Sequence, residues 1–330
     1  MQKNISDFKT GENIQGFYVI SNIAVKKSRT GSDYLSATLS DQSGSVDLKA
    51  WDYSGELSAD DNGSIVKVRG VVEEYKEKPQ LLAARYGGST NIRLLREDDD
   101  ISDLDILPTA PINLKESYEY ILKSISEIND SDYKRLCEEM LKRHAKDFIK
   151  IPAGQFVHHD FIGGLLMHSS NMLKIAEFLA ELYSDFINKD LLMAATLLHD
   201  FSKIREFELS SAGLVTRYST EGMLLGHLYL GAHEVAILSE ELGIDREKSM
   251  LLEHLILSHH GEPEHGAAVR PQTAEAELLS MIDLIDSRME ICRSALLDTA
   301  PQSFSDKIFG LDYRKIYKHD FDLSFEKSEG

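Results

Sequence analysis

One stretch decides the fold, MAATLLHDFSK at residues 193–203. Its apolar first half is typical of a buried helix, and this helix ends in an adjacent imidazole and carboxylate, His199 and Asp200. Burial of either group without a partner is costly, and one metal ion would satisfy both. A lysine, Lys203, follows the carboxylate by three residues. The stretch therefore predicts a metal site at the end of a buried helix.

Two further helices carry groups that can complete this site. Upstream, GGLLMHS at 163–169 places His168 on an apolar helix. Downstream, LSMIDLID at 279–286 carries Asp283 and Asp286, which share one helical face because they are three residues apart. We expect the three helices to converge so that imidazoles and carboxylates hold one cation together.

The histidines are unevenly distributed, since all twelve lie at or beyond residue 144. This asymmetry indicates that the two halves of the chain have different roles. A single histidine at a helix end is more often a cap or a surface residue than a ligand, and we interpret His144, His265 and His319 in that way. The pair His158-His159 precedes the first site helix and either contacts a phosphate or starts the helix.

The first hundred residues have a β pattern. VDLKAW at 46–51 alternates apolar and polar side chains, which is the mark of a half-buried strand. IVKVRGVV at 65–72 follows the turn signal Gly63-Ser64, and another turn signal lies at 41–44. About five short strands in roughly eighty residues favour a small barrel or sandwich.

An acidic, proline-punctuated linker at 97–111 follows the β pattern. Beyond it, apolar residues recur at helical spacing, which predicts helices at 114–128 and 133–148. Nearly all of 161–295 is predicted as helix, with interruptions at glycines such as Gly213. The fold class is therefore α+β with two domains, a small β-barrel followed by an all-α domain.

The β-rich segment resembles an OB-fold of the nucleic-acid-binding type, on its hairpin from Tyr34 to Trp51 and its later run at 68–72. The resemblance implies a groove for a single strand, in which aromatic rings stack on bases and cations hold phosphates. The alternative is that the rings belong to the core and the cations are edge-strand charges. The candidate contacts are Tyr34, Lys49, Trp51 and Arg69, with Lys26, Lys27, Arg29 and Tyr75 as further ones.

The ordered set His168, His199-Asp200 and Asp283 resembles the HD-domain superfamily of metal-dependent phosphohydrolases. With the β-rich first part and LSHHGE at 257–262, the organisation resembles the YhaM family of bacterial 3'-to-5' exoribonucleases. The resemblance implies four segments: an OB-fold nucleic-acid-binding domain at 1–97, an acidic linker with leading helices at 98–157, an HD domain at 158–300 and a C-terminal extension at 301–330.

Under this resemblance Asp200 and Lys203 are catalytic, and the last metal ligand is either Asp283 or Asp286. We favour Asp283, because Ile282-Asp283 better matches the usual pair of a small apolar residue and an aspartate. DFSK at 200–203 departs from the Asp-Ile-Gly-Lys of many HD proteins but keeps the lysine, so a phosphate contact is retained. The implied metal ligands are His168, His199, Asp200 and Asp283.

Three more histidines, His227, His259 and His260, are candidates for a second ion. It is an equally good interpretation that these three histidines do not bind a metal but hold the metal ligands in place or contact the substrate. Nitrogen and oxygen donors without a thiolate suit Mn²⁺, and also Co²⁺, Fe²⁺, Mg²⁺ or Zn²⁺, as one ion or two. We prefer Mn²⁺, because a metal with four protein ligands has a position open for water only if it is five- or six-coordinate. Such an ion supplies an acidic water for in-line attack on phosphorus.

The bulk composition sets limits on the class of protein. A formal net charge of −19 argues against a passive nucleic-acid coat protein, which needs a basic surface. Two distant cysteines indicate a reducing compartment. No stretch approaches the ~18 apolar residues that span a bilayer, and no apolar signal core opens the chain. We expect a cytoplasmic protein with no membrane partner, and a homo-oligomer remains open.

We predict a metal-dependent 3'-to-5' exoribonuclease that degrades single-stranded RNA, or single-stranded DNA, to nucleoside monophosphates. Its strand polarity rests on the family resemblance alone. One alternative is an HD phosphohydrolase that acts on nucleotides or cyclic dinucleotides and uses the β domain for regulation or assembly. The other is a nucleic-acid-binding adaptor whose HD domain has lost activity, and the intact His-Asp pair argues against it.

Overall fold

The computed structural model describes residues 2–28, 31–75, 78–86, 89–96, 98–99, 106–107, 109–154, 161–210, 213–297 and 299–321, with backbone alone at 85–86 and 89–90. Four predictions fall wholly or partly outside these ranges: Arg29, the acidic linker at 97, 100–105 and 108, the pair His158-His159 and the C-terminal extension at 322–330. The chain forms two compact units, 1–109 with 208–217, and 110–207 with 218–330. Among the described helices, none has the length and apolar character needed to cross a membrane.

The first unit contains a closed five-stranded barrel. Hydrogen bonds join the first strand to the second, the second to the third, the third to the fifth, the fifth to the fourth, and the fourth back to the first. Only the pairing of the third strand with the fifth is parallel among these five. This barrel confirms the predicted OB-type fold. Its strands are β1 Asn13–Lys27, β2 Asp33–Asp41, β3 Gly44–Trp51, β4 Ser64–Tyr75 and β5 Lys78–Ala83.

Alternation of side chains builds the barrel core. Leu35, Ala37 and Leu39 of β2 and Leu48 of β3 are buried, while the residues that alternate with them on the same strands are less buried. Gly70 permits β4 and β5 to approach closely, because a Cβ at this position would lie 2.3 Å from the carbonyl oxygen of Leu82.

Short elements complete the first unit. A short strand at Ile92–Leu94 pairs with β4 beyond the closed ring, and one at Arg85–Tyr86 pairs with one at Ser89–Thr90 in a small hairpin. These additions were not predicted, since two- and three-residue strands give no periodic signal. They are β6 Arg85–Tyr86, β7 Ser89–Thr90 and β8 Ile92–Leu94, with 3₁₀ turns at Ile5–Asp7 and Ala59–Asp61.

The second unit is mostly helical. Side-chain oxygens of Asn113, Asp130, Asn188 and Asp245 accept hydrogen bonds from the first free N–H groups of four of its helices. The predicted helices at 114–128 and 133–148 are confirmed to within two residues. The helices are α1 Leu114–Ser126, α2 Ser131–Phe148, α3 Gly164–Leu182, α4 Lys189–Leu198, α5 Lys203–Glu206, α6 Thr220–Leu242, α7 Arg246–Ser258 and α8 Ala274–Leu297, with 3₁₀ turns at Pro263–His265 and Phe309–Leu311.

The prediction of nearly continuous helix from 161 to 295 places an interruption at Gly213 but misses two strands there. A hairpin interrupts it, formed by β9 Phe207–Leu209 and β10 Val215–Tyr218. Its turn depends on Gly213, whose φ of +84° lies in the left-handed region. Each strand has only three or four residues. An alternation of apolar and polar side chains over so few residues cannot be distinguished from the helical pattern on either side. A second hairpin, β11 Ser303–Phe304 with β12 Tyr317–Lys318, follows α8.

Candidate functional site

The carboxylate of Asp200 is the centre of a buried cluster at the end of α4. Its Oδ2 atom lies 3.3 Å from Nε2 of His199 and 3.6 Å from Nε2 of His168. Oδ1 of Asp283 lies 3.3 Å from the same His168 nitrogen. The two imidazole nitrogens are 3.3 Å apart. Groups from α3, α8 and the end of α4 therefore meet at one point, as the sequence predicts.

The other oxygen of Asp200 faces a second set of histidines. Oδ1 lies 3.5 Å from Nε2 of His227 and 3.7 Å from Nε2 of His259. The ring of His260 packs 4.5 Å from that of His259 and 5.1 Å from that of His227, centroid to centroid. Donor atoms of these three histidines lie within 4.8 Å of one another, a spacing that can hold a metal ion. One carboxylate thus has a separate group of imidazoles on each oxygen.

Breaks in two helices bring these side chains inward. α4 stops at Leu198, and the backbone N–H of His199 still donates to the carbonyl of Ala195, so the imidazole continues the buried face. In α6, Gly226 has φ +70° and ψ 157°, which is not helical. This kink frees the backbone N–H of His227 to donate to Glu206 at 3.0 Å.

Four of the five imidazoles in the cluster are fixed by their second nitrogen. The Nδ1 atoms face carbonyl or carboxylate oxygens, which leaves Nε2 directed at the cluster. The four contacts are His168 with Asp286 at 2.7 Å, His199 with the Thr196 carbonyl at 2.9 Å, His227 with Glu206 at 2.9 Å and His259 with the Ile256 carbonyl at 2.7 Å. The rings therefore have their orientation before anything binds between them.

Lys203 lies against the same carboxylate. Its ammonium is 2.7 Å from Oδ2 of Asp200 and donates to the carbonyl of Ala153 at 2.7 Å. An ammonium has three N–H donors, so a third is left for another acceptor.

Three buried polar atoms in the cluster have no hydrogen-bond partner within the described part of the chain: Oδ1 of Asp200, Nε2 of His227 and Nδ1 of His260. Buried polar atoms without partners are costly, and the three atoms belong to the same side of the cluster. Two imidazole nitrogens and a carboxylate oxygen are donors that transition-metal cations accept. A divalent metal ion therefore fits this donor set.

The charges of the cluster support this conclusion. Burial opposes the charged form of His168, but hydrogen bonds to Asp283 and Asp286 raise the pKa of its imidazole to about 10. On the other side, burial holds the pKa of His259 well below its ordinary value. Burial also opposes ionisation of Asp200, yet Lys203 and the neighbouring histidines hold the pKa of its carboxyl well below the ordinary range.

The four residues of the barrel that we expect to contact a nucleic acid fall into two groups. Two neighbouring aromatic rings and a lysine form one group, and an arginine lies apart from them. Tyr34 and Trp51 lie opposite each other on β2 and β3, with ring centroids 4.8 Å apart. Nζ of Lys49 lies 5.8 Å from the Tyr34 centroid. Trp51 is 46% exposed, so it is not a core residue. Arg69 is exposed on β4, which is bonded to β1, β5 and β8, so the structure does not group it with the other three.

Glu206 is a member of the site that the sequence analysis did not single out. It is buried, and one of its oxygens contacts both the backbone and the ring of His227. The one feature of the sequence that could have indicated Glu206 is its position, which is close to one helical turn after Lys203. The interpretation of His144 as a cap or surface residue is wrong, because it is partly buried within α2 and its Nε2 lies 2.6 Å from Glu234.

Family models match both units of the chain. The HD domain model matches residues 165–288, and a model described as an OB-fold nucleic acid binding domain matches residues 19–86. The first range contains every histidine and carboxylate of the cluster. The second contains Tyr34, Lys49, Trp51 and Arg69.

Curated relatives match the full length of the chain. The 3'-5' exoribonuclease YhaM of Listeria monocytogenes serovar 1/2a is 34% identical over 323 residues, covering 98% of this chain and 100% of that protein. The protein of the same name from Listeria innocua serovar 6a is 35% identical over 327 residues, with the same coverage. Among solved structures, the second OB-fold domain of replication protein A from Methanococcus maripaludis is similar at 16% identity, covering 30% of this chain and 100% of that one, but its TM-score of 0.22 carries no argument.

Proposed function

The chain belongs to the YhaM family of 3'-5' exoribonucleases, and we propose that it hydrolyses single-stranded RNA from the 3' end to nucleoside monophosphates. One observation carries the proposal: the two oxygens of Asp200 face separate groups of imidazoles. A phosphodiester carries negative charge that such a cluster can bind only through a cation. The direction of degradation follows from the family.

The proposed site holds two divalent ions. Mn²⁺ is the ion we prefer among those that suit nitrogen and oxygen donors, because an ion with four protein ligands keeps a position open only if it is five- or six-coordinate. When bound, the ions supply Lewis-acid activation of a water and of the phosphoryl oxygens. The proposed ligands are His168, His199, Asp200 and Asp283 for one ion, and Asp200, His227, His259 and His260 for the other.

The protein side chains contribute positioning and charge. Asp286 and Glu206 hold the rings of His168 and His227 through Nδ1, so that each Nε2 atom faces Asp200. Lys203 keeps one N–H donor for a phosphoryl oxygen, where an ammonium offsets the charge that develops during hydrolysis. Because Asp200 and Ala153 already fix that ammonium, little reorganisation is needed when the phosphate arrives.

The barrel is proposed to bind the strand. Tyr34 and Trp51 offer neighbouring rings for base stacking, and Lys49 offers a cation beside them. Arg69 is proposed as a phosphate contact further along the barrel surface. We propose the cytoplasm as the compartment, which the free thiols of Cys137 and Cys292 support.

Metal content and product analysis on one preparation test this function. The protein is incubated with a 5'-labelled oligoribonucleotide and Mn²⁺, then with a chelator. We expect stepwise shortening from the 3' end, nucleoside monophosphate products and loss of activity with the chelator. Faster hydrolysis of free nucleotides or cyclic dinucleotides would identify a small-molecule phosphohydrolase instead. Strand binding without bound metal would identify an adaptor.

A further inference from the structure

The segment after α8 has an unusual composition. We call residues 303–321 the aromatic hairpin, because five of its nineteen residues are Phe or Tyr whereas aromatic residues make up 8% of the chain. It carries four Lys or Arg residues against three Asp, in a chain with a net charge of −19. The function proposed above uses none of its residues.

The aromatic rings of this hairpin face outward in pairs. Phe304 and Tyr317 lie opposite each other on β11 and β12, with centroids 5.1 Å apart, and are 63% and 46% exposed. At the turn, Phe309 and Tyr313 lie 5.5 Å apart and are 73% and 61% exposed. Exposed apolar patches of this kind usually mark an interaction surface.

The hairpin is nevertheless firmly anchored. Leu311 is 2% exposed and lies beneath the turn, and Nζ of Lys318 donates to the carbonyl of Leu296 at the end of α8. The backbone N–H of Ser305 donates to the Ile316 carbonyl at 2.8 Å, and the N–H of Ile316 donates back to Oγ of Ser305 at 2.9 Å. The exposed rings thus belong to an ordered surface, where binding costs little conformational entropy.

The hairpin lies near the metal-ligand cluster along α8. The guanidinium of Arg288 lies 3.6 Å from the carboxylate of Asp312, at the hairpin turn. Arg288 follows Asp283 by five residues, which is about 7.5 Å along the helix axis but on a different face of α8. The hairpin is therefore attached to the same helix that carries Asp283 and Asp286.

We propose that the aromatic hairpin is a second binding surface for the single-stranded oligonucleotide, on which bases stack and phosphates meet cations. The proposal rests on the proposed function, since it assumes that the substrate is a strand. The acidic body of the protein repels a polyanion, so binding requires local cations. Lys307 and Lys315 supply them at exposed positions, while the guanidinium of Arg314 already lies 3.7 Å from the carboxylate of Asp312.

A second copy of the chain is the competing occupant. In a two-fold contact the same patch meets itself, with four Lys or Arg and three Asp on each side. The small positive excess of the hairpin gains nothing from such a contact, whereas a polyanion complements it. Charge complementarity therefore favours the oligonucleotide.

The decisive experiment uses the full-length protein and a labelled oligouridylate longer than the roughly 4–16 nucleotides that one OB-fold covers. Affinity is measured by fluorescence anisotropy in a chelator, so that no hydrolysis is needed. The double variant Phe304→Ala/Tyr317→Ala should bind about 5-fold more weakly or worse, because stacking of a base on an aromatic ring contributes substantially to affinity. The variant Phe304→Tyr/Tyr317→Phe, which keeps both rings, should bind as the wild type. Phe178→Ala, which removes an exposed ring on α3, is the matched control and should leave affinity unchanged.

Charge provides an independent measurement. Lys307→Ser/Lys315→Ser should reduce the slope of log affinity against log salt by about 0.7 for each phosphate that the hairpin no longer neutralises. Unchanged affinity and slope in both double variants would overturn the proposal. So would light scattering that shows the variants breaking up an oligomer, since the hairpin would then join copies. If the wild-type protein binds no strand in the chelator and releases no nucleoside monophosphate with Mn²⁺, the proposed function itself fails, which is distinguishable from a hairpin without a role.

Discussion

The carboxylate of Asp286 lies 2.7 Å from Nδ1 of His168, while Asp283 lies 3.3 Å from Nε2 of the same ring. One imidazole is therefore held between two carboxylates from a single face of α8. The Nδ1 contact fixes the tautomer that directs Nε2 at the cluster, and it makes that nitrogen a stronger donor to a metal. The two aspartates, three residues apart, thus have different tasks.

Asp286→Ala is expected to weaken metal affinity about 10- to 100-fold without removing a ligand, because the ring of His168 loses its orientation. Competition with a fluorescent chelator measures this change. Asp283→Ala should weaken binding more strongly, since it removes a proposed ligand. Equal affinity of Asp286→Ala and wild-type protein would mean that Asp286 does not orient the ring. Asp190→Ala, which removes a carboxylate from the start of α4 that bonds the backbone of Asn129 and Asp130, controls for loss of a structural carboxylate.

Metal binding is expected to release protons. Because the pKa of His168 is raised to about 10, its ring is protonated at pH 7 and must lose that proton before Nε2 can bind an ion. Affinity should therefore rise with pH through the neutral range and level off above pH ~10. His259 adds no proton near neutrality, because burial lowers its pKa.

Calorimetry in two buffers with different ionisation enthalpies measures the number of protons released. We expect about one from His168 at pH 7. In Asp286→Asn the charge that helps to raise the pKa of His168 is absent, so fewer protons should be released. Release of none by the wild-type protein would contradict the protonated His168.

The sequence could locate the cluster because its members are chemically costly in apolar helices. His168, His199 and Asp283 each interrupt an apolar run, and only a shared partner explains all three. What it could not predict is how the oxygens of Asp200 are divided between histidine groups, since that depends on the kink at Gly226 and on the packing of α6. No local pattern predicts a non-helical glycine inside a helix.

For the barrel, too, the sequence could predict only some of the side-chain positions. Alternation predicts which residues of β2 and β3 face outward, so Tyr34, Lys49 and Trp51 could be grouped from the hairpin register. Arg69 could not be placed, because its position depends on which strands become neighbours when the sheet closes. The hairpin at 207–218 could not be predicted, because its strands are too short to show a period of two against the helical patterns on either side.

Trp51→Ala is expected to weaken binding of single-stranded RNA by about 1–3 kcal/mol if the exposed ring stacks on a base. Trp51→Phe keeps a ring and should retain most of the affinity. Phe178→Ala serves as the control, since Phe178 is also exposed but lies on α3. Anisotropy in a chelator measures binding alone. A loss that is equal in Trp51→Ala and Phe178→Ala would contradict a specific role for the Tyr34–Trp51 pair.

Lys203→Ala is expected to lower turnover by about 10²-fold while leaving metal content nearly unchanged, because its proposed role is to offset charge on the phosphoryl oxygens. Asp200→Asn is the contrasting variant. It should lose both hydrolysis and metal, since Asp200 is proposed as a ligand, while binding of RNA by the barrel persists. Lys189→Ala, which breaks an ion pair with Glu177 at the start of α4, should change neither quantity. Elemental analysis and single-turnover hydrolysis on the same preparations separate the two roles. Loss of metal from Lys203→Ala would show that the lysine holds Asp200 in place for the ions and has no separate contact with the phosphate.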